Sequence, residues 1–191
     1  MWCRPSAQDR EFLGQRVMGQ SETGGPGLQC WTMAFHGAAL WRALVEAGAR
    51  PVGARALAVL RIEAGIPWYG HDVDETVILP EARLDQLVSY NKGCYIGQEV
   101  VARVKYRGHV NRALSGLVLD GDRVPASGAK VLVEDKEIGR VTSAVRSIAL
   151  GRPIALGYVR REHFAPGTAV TVVDGDATAR ARVAELPFVP S

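Results

Sequence analysis

Beyond Gly108 helical periodicity disappears from the sequence, and six short runs of β-type residues follow one another. They are "ALSGLVL", "KVLVE", "EIGRVTSAV", "IALGYVRRE", "AVTVVD" and "TARARVAEL", separated by Gly, Pro and Asp. Strand-length runs at such regular spacing, with turn chemistry between them, specify an antiparallel sandwich or barrel. The boundary with what precedes falls near 108–112, which divides the chain into 1–108 and 109–191. No low-complexity linker intervenes, so the two parts are expected to pack together.

The first part is helical and irregular, which makes the fold class α+β. Residues 1–20 are polar and patternless, and "GQSETGGPGLQC" (19–30) is a glycine-rich loop. "LQCWTMAF" (28–35) then reads as a weakly alternating strand. In "HGAALWRALVEAGARPVG" Leu40, Trp41, Leu44 and Val45 share one helical face, and Gly48 and Pro51 end the helix. "ARALAVLRIEAG" (54–65) is a second helix, again closed by glycine. Leu84, Leu87 and Val88 hint at a short third one before residue 93.

Bulk composition excludes several functional classes. The net charge is +3 with acids and bases interspersed, which points to neither nucleic acid nor a membrane surface. No apolar run is long enough to span a bilayer, and "MWCRPSAQDREFLGQ" lacks the apolar stretch of a signal peptide. Cys3, Cys30 and Cys94 are odd in number and widely spaced, so neither a disulfide framework nor a zinc site is expected and a reducing cytosol fits.

One of those cysteines sits in an unusual setting, "NKGCYIGQEVVARVKYRG" (91–108). A helix from Gln98 to about Tyr106 would turn Val100, Val101 and Val104 inward and Glu99, Arg103 and Arg107 away. Cys94 would then precede a helix N-terminus, with the Lys92 ammonium on its side of an extended turn. Both features lower a thiol pKa. A cysteine is equally at home as a small buried hydrophobe, and the residues alone leave the two readings open.

The string Lys92-Gly93-Cys94-Tyr95-Ile96-Gly97-Gln98-Glu99 resembles the signature of the YgfZ-type folate-binding family, relatives of the glycine cleavage T-protein that support iron–sulfur enzymes. The likeness extends through "LRIEAGIPWYGHDVDE", "LPEARLDQLVSYNKG", "VVARVKYRGHVNRALSGL", "EIGRVTS" and "IALGYVRREHFAPGTAV", about residues 17–189. It implies a folate-binding α+β body followed by a C-terminal antiparallel β-barrel. Only the C-terminal portion of the family's body is matched, so the upstream portion is absent or separately encoded, and the helices that remain would expose an apolar face. The resemblance makes Lys92 and Cys94 the leading catalytic residues and Gln29, Arg61, Glu99 and Arg103 candidate folate contacts. It implies tetrahydrofolate or another reduced folate as cofactor and iron–sulfur client proteins as partners.

The T-protein pattern differs at three points. T-proteins carry an acidic residue at the Cys94 position. Their Thr-Gly-x-x-Gly-x-Glu loop ends in a glutamate that grips the pterin, where "TGGPGLQ" has Gln29. Four residues before Arg61, where they hold an arginine, this chain has Leu57. The last two differences argue against aminomethyl transfer, which stands as the alternative to an accessory role, with an inactive fragment as a third reading. Arg61 and Glu63 either line the pocket or form a helix-surface pair. "HDVDE" (71–75) reads as a solvated turn rather than a metal site, and Trp31, Trp41 and Trp68 as core. "TGGPG" lacks the Gly-Lys-Ser/Thr ending of a phosphate loop.

Overall fold

A computed structural model describes residues 10–12, 15–89, 93, 97 and 108–190. Before the barrel, the body begins with an antiparallel sheet of β1 (Arg10–Phe12), β2 (Gln15–Gly19) and β3 (Leu28–Trp31). β1 and β2 lie where the sequence pattern suggests irregular chain, whereas β3 occupies the first half of the strand expected at 28–35. Helices α1 (Gly37–Glu46) and α2 (Ala54–Glu63) follow where the apolar spacing places them. Gly48 and Gly65 end them with φ of +101° and +70°, backbone that a side chain rarely adopts. The third helix is only a single 3-10 turn, Asp85–Leu87. Ahead of it Arg83 takes φ of +56°, which breaks the helical path that Leu84, Leu87 and Val88 suggested.

All six β runs are strands: β4 (Arg112–Leu119), β5 (Lys130–Val133), β6 (Lys136–Arg146), β7 (Pro153–Arg160), β8 (Ala169–Asp174) and β9 (Ala177–Ala184). They close into an antiparallel barrel in the order β4-β7-β6-β5-β8-β9, with β9 pairing back onto β4. Closure leaves no unpaired edge within the barrel. Side chains at alternate positions fill the interior, among them Leu117, Leu119, Val131, Val141, Val159, Val172 and Val183. The strands also cross closely: a Cβ on Gly139 would lie 2.1 Å from the Tyr158 carbonyl oxygen.

Strands β4 and β7 are buried on both faces. Their second faces, Leu114, Ile154, Leu156 and Tyr158, pack on Ile62 of α2, with Leu186 and Phe188 of the C-terminal tail alongside. A Cβ on Gly65 would meet that of Leu186 at 2.9 Å, so the bare backbone of the α2 stop is what lets the tail approach.

Polar side chains fix the orientation of this contact. Arg61 and Asp72 form a buried ion pair, 3% and 2% exposed. Arg61 also donates to the Ile66 carbonyl at 3.2 Å and, through Nη2, to Ser143 Oγ at 2.7 Å. Asp72 accepts from the Trp68 backbone N–H at 3.0 Å and from the Thr142 hydroxyl, and its carbonyl accepts from the Tyr158 hydroxyl at 2.9 Å. Thr142 is the extra residue of a bulge in β6, where Val141 and Ser143 face the consecutive Gly157 and Leu156. Bulges re-aim side chains, and this one brings Thr142 and Ser143 to bear on Asp72 and Arg61. Two residues on, Glu63 Oε1 accepts from Ser147 Oγ at 2.6 Å and from the Ile148 and Ala149 N–H groups at 2.9 and 3.1 Å, capping the β6–β7 turn. Arg61 and Glu63 therefore form no helix-surface pair. Nor is "HDVDE" wholly a solvated turn, because Asp72 is sealed inside it.

Helix α1 buries none of its residues. Trp41 is 57% exposed, and Trp31, Met33 and Phe35 are open as well. Trp31 and Trp41 are not core residues. The apolar face expected from the sequence is present on this side of the body.

Three outcomes follow for stability. Gly139→Ala should lower the midpoint of thermal unfolding steeply, because backbone must move to admit the methyl, whereas Trp41→Ala should cost no more than about 0.5 kcal/mol. Arg61→Met leaves a buried carboxylate without its cation and should cost about 3–5 kcal/mol in denaturant titration. Arg61→Met with Asp72→Leu should cost less than the sum of the two single changes. Burial pushes the Tyr158 phenol well above its ordinary value, with the Arg112 guanidinium pulling the other way. A tyrosine that ionises later folded than unfolded contributes no pH dependence below about pH 10 and lowers stability as pH rises beyond it. Tyr158→Phe should flatten that alkaline decline, read from unfolding midpoints between pH 8 and 11.

Candidate functional site

The loop joining β2 to β3 folds back on itself because Gly27 permits it. Its carbonyl accepts from the Gln20 N–H at 3.1 Å, and a Cβ there would meet the Gln20 carbonyl oxygen at 2.5 Å. The fold-back brings Glu22 and Gln29, seven residues apart, into contact: Gln29 Nε2 donates to Glu22 Oε1 at 2.9 Å. Gln20 Nε2 donates to the same oxygen at 3.2 Å, and the Trp68 indole N–H donates to Glu22 Oε2 at 3.0 Å. Trp68 in turn lies under the Arg61 guanidinium, 4.8 Å from ring centroid to Cζ. A continuous chain of contacts therefore runs from the glycine-rich loop through Trp68 to the seam with the barrel.

Glu22 and Trp68 stand in the wall of a cavity of about 770 Å³. Ile66, Pro67, Leu84, Leu87, Leu114 and Leu186 supply apolar wall, Gln20, Ser21 and Gln86 neutral polar groups, and Glu22 and Arg83 the charged ones. Ligand sites have this character: apolar walls of several hundred Å³ with a few convergent polar groups. A second cleft, about 530 Å³, separates the 71–77 turn from the barrel and is lined by Arg112, Arg140 and Arg160 together with Asp74 and Glu137. Arg112 there is paired with Glu81 and Arg140 with Glu137. No group of His, Cys, Asp and Glu able to hold a metal occurs among the described residues.

The sequence-derived site residues fall into three sets. Lys92, Cys94, Glu99 and Arg103 lie outside the described residues. Gln29 is half-buried and joined to Glu22, one step back from the cavity wall. Arg61 is buried, with its η nitrogens on protein partners and its Nε without a partner among the described residues, so it supports Trp68 rather than facing a cavity. Leu57 is half-buried and Arg55 exposed on α2. Sequence reasoning overlooked Glu22 and Arg83. The Ser-Glu-Thr-Gly string carries no motif for the first, and nothing local signals the left-handed backbone of the second.

No helix among the described residues is long and apolar enough to cross a membrane.

Comparison with known proteins fits this architecture. Residues 112–190 match the glycine cleavage T-protein C-terminal barrel domain, and residues 16–92 match the GCVT N-terminal domain. An aminomethyltransferase of Streptomyces avermitilis is 40% identical over 159 residues, 80% of this chain and 43% of that protein. One from Saccharopolyspora erythraea is 37% identical over 186 residues, 93% of this chain and 50% of the other. The crystal structure of glycine cleavage system aminomethyltransferase T from Bartonella henselae superposes with a TM-score of 0.84 at 25% identity, covering 94% of this chain and 51% of that one. The chain thus spans about half the length of the relatives it matches. Those relatives are named for aminomethyl transfer, the reading that Gln29 and Leu57 had placed second, and the iron–sulfur role finds no support among them. By both of its domains the chain belongs to the glycine cleavage T-protein-like family.

Proposed function

We propose that the chain forms part of a reduced-folate site of the T-protein type and acts in moving the one-carbon unit of a carrier-bound aminomethyl group to tetrahydrofolate, with the amino group leaving as ammonia. The observation that carries this reading is the 770 Å³ cavity, whose apolar walls enclose a carboxylate fixed by an indole N–H and an amide. That combination fits a flat, nitrogen-rich ring better than it fits a metal or a phosphate: the walls bury ring faces, and Glu22 accepts N–H donors at the ring edge. When bound, a reduced folate supplies the nitrogen that takes up the one-carbon unit. The chain's own residues hold it and exclude water, and the seam of Arg61, Asp72, Thr142 and Ser143 keeps the body and the barrel in register around it. A cytoplasmic setting suits this chemistry.

A second reading keeps the Lys92-Gly93-Cys94 string in view. A thiol where T-proteins carry an acid is out of place for proton handling, and as a thiolate it suits soft iron chemistry in an accessory role. Under that reading the partners are iron–sulfur client proteins.

Titration calorimetry with tetrahydrofolate and a turnover assay with an aminomethyl-loaded lipoyl carrier test the first reading. Saturable binding in the micromolar range and folate-dependent release of ammonia are expected. No heat of binding at millimolar folate would overturn it. Cys94→Ala separates the two readings. Full aminomethyl activity in that variant, alongside lost rescue of iron–sulfur enzymes in a strain lacking its own family member, would favour the accessory role for the thiol.

A further inference from the structure

We propose that Glu22, rather than Gln29, recognises the donor edge of the ligand, and that Arg83 takes its anionic end. The cavity would thereby select an amphoteric molecule, a flat heterocycle with adjacent N–H donors joined to a carboxylate tail. The inference rests on the folate reading and assigns its specificity to two residues outside the sequence motifs.

Three observations lead here. The Glu22 carboxylate is held only by neutral donors, Gln20, Gln29 and Trp68, and no cation pairs with it among the described residues. A carboxylate oxygen accepts two hydrogen bonds, and among the described residues Oε2 receives one, from Trp68. An acceptor position on Oε2 is therefore open, and the 3.2 Å bond from Gln20, the longest of the three, is the one a ligand N–H would displace from Oε1. Two adjacent N–H donors, as on a 2-aminopyrimidinone edge, match two carboxylate oxygens whose directions are already set.

Gln29 cannot play this part in the same way. Its amide N–H₂ already donates to Glu22, and it is set back from the cavity wall. It acts as a positioning residue for the carboxylate. Trp68 acts likewise, with its own orientation fixed by Asp72 below and Arg61 above.

Arg83 is the second charged group of the wall. It is exposed, its side chain has no ion-pair or hydrogen-bond partner among the described residues, and it does not pair with Glu22. Its φ of +56° places a non-glycine residue in left-handed backbone, a conformation that gathers at functional positions. A cavity holding one fixed anion and one unengaged cation, not neutralised by each other, suits a ligand with the opposite charge pattern. A carboxylate serving only to pin the loop would gain nothing from an open acceptor position.

Calorimetry on the full chain tests the assignment with three ligands: tetrahydrofolate, its analogue lacking the 2-amino group, and tetrahydropterin without the glutamate tail. Glu22→Gln keeps the shape but removes the charge and turns one of the two acceptors into a donor. It should weaken tetrahydrofolate about 10- to 100-fold while leaving the 2-desamino analogue, already weak on the wild type, nearly unchanged. Arg83→Met, at an exposed position, should weaken tetrahydrofolate about tenfold and tetrahydropterin not at all. Unfolding midpoints of both variants should stay near wild type. Wild-type binding that survives Glu22→Gln, or falls equally for the folate and its 2-desamino analogue, would overturn this assignment and leave the folate reading standing. A wild-type chain that binds none of the three ligands overturns the folate reading and this assignment with it.

Discussion

One buried ion pair decides how the two parts of this molecule sit on each other. Apolar packing between Ile62 and the outer faces of β4 and β7 supplies attraction but little direction, since hydrophobic contact is proportional to area. Arg61 and Asp72 supply the direction. A guanidinium presents its donors in a fixed plane, and here they reach a carboxylate, the carbonyl of Ile66 and the hydroxyl of Ser143. Asp72 closes the arrangement with Thr142, Trp68 and Tyr158. Buried charges tolerate few alternative poses, because any slip strands one of them in a low dielectric.

The cavity depends on that seam. Its walls come from the body at 19–22, 64–69 and 82–87, from Leu114 of β4, and from the tail at 186–187. Segments so far apart in the chain enclose a fixed volume only if body and barrel keep one geometry. Trp68 joins the two levels: its backbone N–H binds Asp72 and its indole N–H binds Glu22. The proposed ligand contact, Glu22, and the buried Arg61 thus belong to one network, with a single aromatic ring between them. This is why a folate-contact role for Arg61 and its placement in the seam are easy to confuse from sequence. The side chain lies near the cavity but meets Trp68 rather than the cavity space.

The barrel was legible because each of its strands announces itself locally. Alternation along "TARARV" or the β-type run "KVLVE", with turn residues between, is a local signal that needs no knowledge of the partner strand. Helices α1 and α2 were legible for the same reason, through apolar spacing and a terminal glycine. What escaped was non-local. β2 is a strand because it pairs with β3 across the loop that Gly27 tightens, not because "QRVMG" alternates. Asp72 looks like any turn carboxylate until Arg61, eleven residues earlier, folds against it. Glu22 gains meaning only when the loop brings Gln29 to it and the 64–69 turn brings Trp68. Continuous burial of "PIALGYV" likewise reflects the body covering β7, a fact held by no single segment.

The loop substitution that seemed to argue against the T-protein chemistry takes on a different aspect in this setting. Gln29 removes a charge from one position of the loop, but Glu22 stands beside it with its carboxylate held by the very amide that replaced the acid. What a ligand meets is a charge at a point in space, whichever residue supplies it. An amide donating to a carboxylate fixes that carboxylate better than two acids could, because paired acids repel and one of them would take up a proton. The glutamine is therefore compatible with an anionic recognition point in the loop, which weakens the sequence argument against folate chemistry and accords with the aminomethyltransferase identity of the relatives.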